Sequence, residues 1–397
     1  MLERREFLLA LTAAGILPAA VPSRARAAAE PLNAALVFSG GGARGAYEAG
    51  IVGALAAVAA VSDGKALPPY DLVCGASIGA LNGWFLATAQ YTKLRQLWYS
   101  ISAQDVIQLK PEYAALRDPE SGLLNRAAAA VRLFGLTRDR VGILQTEPVY
   151  EWISRNVDPE LPLAMPLIWS VTNLTHQRPE YFFLDPQARD AEFREQVRSA
   201  LQISLGPQTI VREATPEVLH KALLASAAIP LAFDPVMLPN PDGELDAYCD
   251  GGVASNSPVG VAHSIARAAD VILLNPPFEP EENYDDAVAV AFGAFGTMQR
   301  KMLEVEMRNA YFQSMGKRAL GRLAPSELTR LTSGSEVLSQ YVESVPETTL
   351  RYLRPATSLP VSVVGFDDAV GITQSYRRGW EDVAAGFAVY DWRTFVL

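Results

Sequence analysis

Short apolar runs alternate along this chain with longer stretches of helical composition, and glycine stands at many of the junctions. Leu36–Phe38 ends a β-branched and aromatic run, seven residues follow of which four are glycine, and Ala46–Val61 is Ala-rich and apolar, which predicts strand, tight loop, helix. The pattern repeats at once: a strand-like Asp71–Cys74, a turn of small residues, then an apolar helix-compatible run, Ala80–Gln90. Residues 91–160 are helical and amphipathic in patches, with turns near Pro111, Pro119–Gly122 and Gly135. Further strands are expected at Leu167–Thr172 and Tyr181–Leu184, a helix at Val218–Ala228 stopped by Pro230, and a loop over Leu238–Asp246 that delivers the chain into Ala247–Asp250. A helix from Asn256-Ser257-Pro258 through Ala268 and a buried strand at Val271–Leu274 follow. After a proline- and acid-rich surface stretch, Pro276–Asp286, come a long helix from Val288 to Arg308 or Lys317, late strands at Leu350–Leu353 and Leu359–Phe366, and a closing helix at Gln374–Phe387. Such alternation is the logic of a doubly wound α/β fold.

The first thirty residues differ in kind. Arg4-Arg5 precede an apolar run, Phe7–Val21, and Ala25-Arg26-Ala27 and Ala27-Ala28-Ala29 both offer small-x-small cleavage sites, the layout of a bacterial secretory signal. Arg-Arg-Glu-Phe-Leu resembles the twin-arginine core, so residues 1–29 are expected to engage export machinery and to send the protein to the periplasm or outside the cell. The formal net charge is −10, and that segment carries four arginines against two glutamates, so the remainder is more acidic still. This argues against nucleic acid as a partner, and against a surface held on anionic lipid by charge alone. Two cysteines make no disulfide framework; Cys74 and Cys249 are expected as buried thiols.

The glycine loop carries the first chemical signal. Packed glycines before a helix leave consecutive N–H groups pointing outward at its positive end, which suits an anion. Gly40, Gly42 and Gly45 also fit G-x-G-x-x-G, but the next strand closes into Gly75-Ala76-Ser77-Ile78-Gly79 instead of the acidic residue that a dinucleotide site calls for, so no nucleotide cofactor is expected. G-x-S-x-G is the nucleophile elbow, a cramped strand-to-helix turn that projects a serine hydroxyl. The three histidines form no H-x-x-x-H, and with two cysteines no metal cluster is expected.

Gly40-Gly41-Gly42-Ala43-Arg44-Gly45, Gly75-Ala76-Ser77-Ile78-Gly79 and Asp250-Gly251-Gly252, in that order, resemble the patatin-like acyl hydrolases over roughly Ala34–Ile272. The resemblance implies a three-layer α/β/α fold with a central, mostly parallel sheet and helical insertions, a catalytic domain over 34–275, and a C-terminal extension, 276–397, packing on the same unit. It implies a catalytic dyad of Ser77 and Asp250, an oxyanion hole of the Gly41 and Gly42 amides with Arg44 holding that loop, and the motif glycines Gly40, Gly45, Gly75, Gly79, Gly251 and Gly252. It further implies a metal-free hydrolase of fatty-acyl esters, with lipid or phospholipid as partner. Asn173 and the stretch Ala225–Pro230 also look like family features, with structural roles. Only His263 follows Asp250, inside an expected apolar helix, so the aspartate is expected to take the serine proton directly. The 91–160 insertion is either a lid or acyl-chain wall or simple packing over the sheet. A non-catalytic lipid-binding or scaffold protein with the same fold and a soluble-ester esterase remain as alternatives.

Overall fold

The structure, a computed structural model, describes residues 31–63, 70–116, 142–185, 191–277 and 287–395. The expected signal at 1–29, the apolar run Val131–Leu136 and the acidic pair Glu281-Glu282 lie outside the described residues. The first half of the chain forms β1 (Leu32–Phe38), α1 (Gly45–Asp63), β2 (Leu72–Ala76), α2 (Ile78–Ala87), α3 (Tyr91–Ser100), α4 (Ala103–Val106), α5 (Glu147–Asn156), β3 (Leu167–Asn173), β4 (Arg178–Leu184) and α6 (Ala191–Leu205). There follow β5 (Ile210–Glu213), α7 (Pro216–Ala227), β6 (Val236–Pro239), β7 (Leu245–Asp250), α8 (Val259–Ile265), β8 (Ala266–Ile272) and α9 (Ala287–Gly321). The last elements are α10 (Pro325–Thr332), α11 (Glu336–Ser344), β9 (Thr349–Leu353), α12 (Ala369–Asp382) and β10 (Ala388–Val389).

One ten-stranded sheet runs in the order β10-β9-β8-β1-β2-β3-β4-β5. Strands β9, β8, β1, β2 and β3 are mutually parallel. β3 is shared on one side: its first half pairs with β2, and Val171–Asn173 pair with the antiparallel β7, the inner strand of a hairpin with β6. Alternation along β1 sends Leu36 and Phe38 to one face and Ala35 and Val37 to the other, and both sets are fully buried. The first face packs against α1, α2, α3, α7 and α12 through residues such as Tyr47, Trp84, Trp98, Leu223 and Ile372, and the second against α6, α8 and α9 through Leu201, Ala262 and Met307. These are the three layers of an α/β/α fold. Strand order reverses at β1, with β2 and β3 on one side and β8 and β9 on the other, and open α/β sheets bind ligands at the carboxyl ends of strands beside such a switch.

Four expectations are corrected. Leu238–Asp246 is a hairpin and not a plain loop: Asn240 accepts from the Asp242 and Glu244 N–H groups, which folds the turn between β6 and β7. The helix expected to reach Ala268 ends at Ile265, and the Ala-rich segment beginning at Ala266 is a strand because β1 and β9 flank it on both sides and its pairing overrides helix propensity. Leu359–Phe366 is not a strand; it crosses the carboxyl end of the sheet irregularly. The closing helix starts earlier, at Ala369, where Asp368 accepts from the Gly371 N–H at 2.8 Å and caps it. Helices α12 and α1 touch backbone to backbone, for a Cβ on Gly50 would collide with the Tyr376 carbonyl and one on Gly379 with the Tyr47 carbonyl.

Cys74 on β2 and Cys249 on β7 are both free and buried. Cys74 sits opposite Ile168, and Cys249 opposite Thr172 four residues further along the same β3. That stagger holds their Cα atoms roughly 13 Å apart along the strand, well beyond disulfide reach. Burial raises both thiols above their ordinary pKa. Native protein is therefore expected to be inert to a thiol reagent at pH 8, and denatured, unreduced protein to titrate two thiols; a count of zero would contradict the register.

Candidate active site

β1 ends in Ser39 and the glycine loop, β2 ends in the elbow, and β7 ends in Asp250 beside the second half of β3, so three chain segments meet at the carboxyl end of the sheet. Ser77 occupies the elbow with φ 53° and ψ −127°, a backbone conformation that side chains rarely adopt. Gly75 and Gly79 make that turn feasible, since a Cβ on Gly75 would press on the Gly79 carbonyl and one on Gly79 would press on Phe38 and Ser39. The Ser77 N–H donates to Ser226 Oγ at 2.9 Å, and Ser226 donates onward to the Ser170 carbonyl at 2.7 Å. The serine of Ala225–Pro230 thus ties the elbow to β3. The resemblance implied only a structural role for that stretch and did not single out the Ser226 hydroxyl.

Asp250 is 1% exposed. Its Oδ1 accepts from the Gly252 N–H at 2.6 Å, while Oδ2 has no hydrogen-bond partner of full geometry among the described residues. Burial lifts its carboxyl from the usual range to about 7, and the neighbouring Ser77 hydroxyl and the Gly252 N–H pull it partly back. The backbone is held from two sides, by its N–H to the Ala228 carbonyl at 2.9 Å and by Thr172 Oγ1 donating to its carbonyl at 2.9 Å. Gly251 packs so tightly on Ser170 that no side chain fits there.

The glycine loop lies across from this pair. A Cβ on Gly40 would stand 3.1 Å from the Ser77 Cβ. Two of the loop N–H groups are occupied, Gly40's by the Asn256 carbonyl and Ala43's by the Val363 carbonyl, both at 2.9 Å. The N–H groups of Gly41 and Gly42, between them, have no acceptor among the described residues. Gly42 has φ +55° and backs directly onto the Val363 carbonyl, so only glycine fits. Arg44 points away from Ser77 and donates to Asn275 at 2.7 Å and to the Val361 carbonyl at 3.4 Å. Gly45 abuts Ile78 and Trp98. Beneath the loop, buried Glu48 accepts from the Ser39 N–H at 2.8 Å and from Asn82 at 2.9 Å, and burial raises its carboxyl to about 8.

None of the three histidines is hydrogen-bonded to Ser77 or Asp250 among the described residues. His263 is buried on α8, where burial lowers it to about 4 and keeps it neutral. His220 bonds the Val157 carbonyl at 2.8 Å, and His176 lies 3.2 Å from Asp246. Asn173 ties Glu180 and Asp246 together, 2.9 Å from each, in a buried network with Tyr248. Next to the elbow, α2, α3 and α5 enclose a small apolar gap with room for about one water, lined by Ile78, Leu81, Phe85, Leu94, Trp98 and Trp152. Among the described residues, no group of three or more His, Cys, Asp or Glu side chains is placed to hold a metal, and no helix is long and apolar enough to cross a membrane.

A family model described as patatin-like phospholipase matches residues 36–263. No curated protein matches the chain. Among solved structures, VipD from Legionella pneumophila is similar over 95% of this chain and 71% of its own, at 14% identity and a TM-score of 0.37.

Proposed function

Because the chain belongs to the patatin-like phospholipase family, a family of lipid acyl hydrolases, we propose that it cleaves fatty-acyl esters with Ser77 as nucleophile and Asp250 as the base. The observation that carries this reading is the buried Asp250 carboxylate, its Oδ2 left open beside the strained Ser77. In the proposed reaction Asp250 takes the Ser77 proton as Oγ attacks the ester carbonyl, and the resulting oxyanion accepts hydrogen bonds from the Gly41 and Gly42 N–H groups. The protonated Asp250 then returns the proton to the departing alcohol, leaving an acyl-serine. Water enters, gives its proton to Asp250 and its oxygen to the acyl carbon, and the fatty acid leaves as Ser77 recovers its proton. Arg44 contributes indirectly, by pinning the loop between Asn275 and Val361. The acyl chain is assigned to the apolar wall beside Ile78, where α3 and α5, from the 91–160 insertion, must part from α2 to admit it. Export through the signal at 1–29 is part of the same proposal.

Each buried CH₂ is worth about 0.8 kcal/mol, or roughly a factor of four, so a site that grips an acyl chain favours long esters over acetyl esters strongly. The test offers protein without its first 29 residues phosphatidylcholine, phosphatidylethanolamine, lysophospholipid, triacylglycerol and short-chain p-nitrophenyl esters, with and without chelator, and identifies the released acids by mass. Fatty acid released from phospholipid, and lost after fluorophosphonate treatment, is the expected result. Turnover confined to acetyl and butyryl esters would refute the lipid assignment and leave the serine hydrolase, and chelator-sensitive activity would refute the mechanism.

A further inference from the structure

The family match stops at residue 263, yet helix α9 (287–321) reaches the site. Gln299, Leu303, Glu306, Met307 and Ala310 recur at helical spacing, and Leu303, Met307 and Ala310 are buried against the sheet. The polar members of this stripe grip the segment just after Asp250-Gly251-Gly252. Glu306 accepts from Ser255 Oγ at 2.7 Å, and two turns earlier Gln299 Nε2 donates to Asn256 Oδ1 at 3.1 Å. Asn256 in turn holds Gly40 twice, its carbonyl accepting from the Gly40 N–H at 2.9 Å and its Nδ2 donating to the Gly40 carbonyl at 3.4 Å. Two glycines from different motifs make room for these amides: a Cβ on Gly40 would stand 2.5 Å from Asn256 Oδ1, and one on Gly252 would collide with Gln299 Nε2 and with Asn256 Oδ1.

A side-chain amide is nearly symmetric in shape, and only its partners decide which end faces which way. Were Asn256 turned over, its oxygen would face the Gly40 carbonyl and repel it. We propose that Gln299 is a positioning residue: by donating to Asn256 Oδ1 it fixes the Asn256 amide so that Nδ2 faces Gly40, and so sets the glycine loop against Ser77. This rests on the acyl-hydrolase reading, and the test separates the two. Full-chain wild type and variants are compared by kcat and KM on a long-chain p-nitrophenyl ester, by the rate of fluorophosphonate labelling, by melting temperature, and by hydrogen exchange of the peptide spanning residues 39–44. Gln299→Ala is expected to lower kcat and labelling about 5- to 20-fold with KM within twofold and the melting temperature nearly unchanged, and to speed exchange in the loop peptide but not in β2. Gln299→Glu, which presents an oxygen to Asn256 Oδ1 at neutral pH, should lose more. Asn256→Ala combined with Gln299→Ala should lose no more than Asn256→Ala alone. If Asn256→Ala does not fold, Asn256→Asp serves in its place, since it keeps the acceptor for Gln299 and loses the donor to Gly40. Multiplicative losses, a defect confined to KM, or unchanged loop exchange would overturn the proposal. Wild type that neither labels nor turns over, with loop exchange still responding to Gln299→Ala, would overturn the hydrolase reading and keep the positioning contact.

Discussion

Asp250→Asn is expected to cost at least about 10²-fold in kcat and at the same time to raise the melting temperature. The loss follows from removing the general base, a contribution commonly worth about 10²- to 10⁴-fold. The gain follows from linkage. Burial holds the folded carboxyl at about 7, whereas in the unfolded chain it ionises near 4, so between those values the folded state binds the extra proton and stability from this group falls as pH rises. Above pH 7 the full deficit is present, and asparagine, which keeps the shape without the charge, removes it. The same pKa sets the wild-type profile: kcat/KM should climb tenfold per pH unit below about 7 and level off above it. Glu48 and Glu306, each raised to about 8 by burial, erode stability in the same direction and remain in the variant. An Asp250→Asn protein that is active, or that melts lower than wild type at pH 7.5, would count against the assignment, as would a His263→Ala protein equally inactive.

Replacing Ser77 should have the largest kinetic effect of all. Ser77→Ala and Ser77→Gly are both expected to fall at least about 10³-fold, since serine hydrolases deprived of their nucleophile lose most of their acceleration. The two differ in stability. At φ 53° and ψ −127° a side chain is strained and glycine is not, so Ser77→Gly should be more stable than Ser77→Ala by roughly 1 kcal/mol or more in denaturant titrations. Mass mapping of a fluorophosphonate adduct should find it on Ser77 in wild type and nowhere in either variant. Equal stability of the two would mean that the elbow relaxes once the hydroxyl is gone.

What the sequence revealed, and what it hid, divides along the range of the forces involved. The strands Leu36–Phe38 and Asp71–Cys74, and the turns that follow them, were legible because an apolar run closing into clustered glycine is a local signal that both faces of a sheet reinforce. Val271 and Ile272 were legible as strand, but Ala266–Ala268 was misread as helix because its alanines carry no strand preference of their own, and its state is decided by β1 and β9. Leu359–Phe366 was misread as strand because its apolar residues fill space over the glycine loop without joining a ladder. The hydroxyl of Ser226 and the amide of Gln299 were invisible for another reason: each acts through hydrogen bonds to distant segments, reaching across 149 and 43 residues, and no spacing within its own segment records that. Asp250 stood out through its glycines, but its elevated pKa depends on complete enclosure, which only the assembled layers supply.

The contact between Arg44 and Val361 spans 317 residues of sequence. A ribosome releases the glycine loop long before it makes the carbonyls that hold Ala43 and Arg44, or the helix α12 whose backbone rests on α1. Native contacts of such long range form late, after the entropy of closing the intervening chain has been met. Catalytic competence therefore cannot arise vectorially, one segment after another as synthesis proceeds. On the proposed reading, a nascent chain that already carries Ser77 and Asp250 still lacks a rigid glycine loop, and its hydrolase activity is held back through most of its own translation.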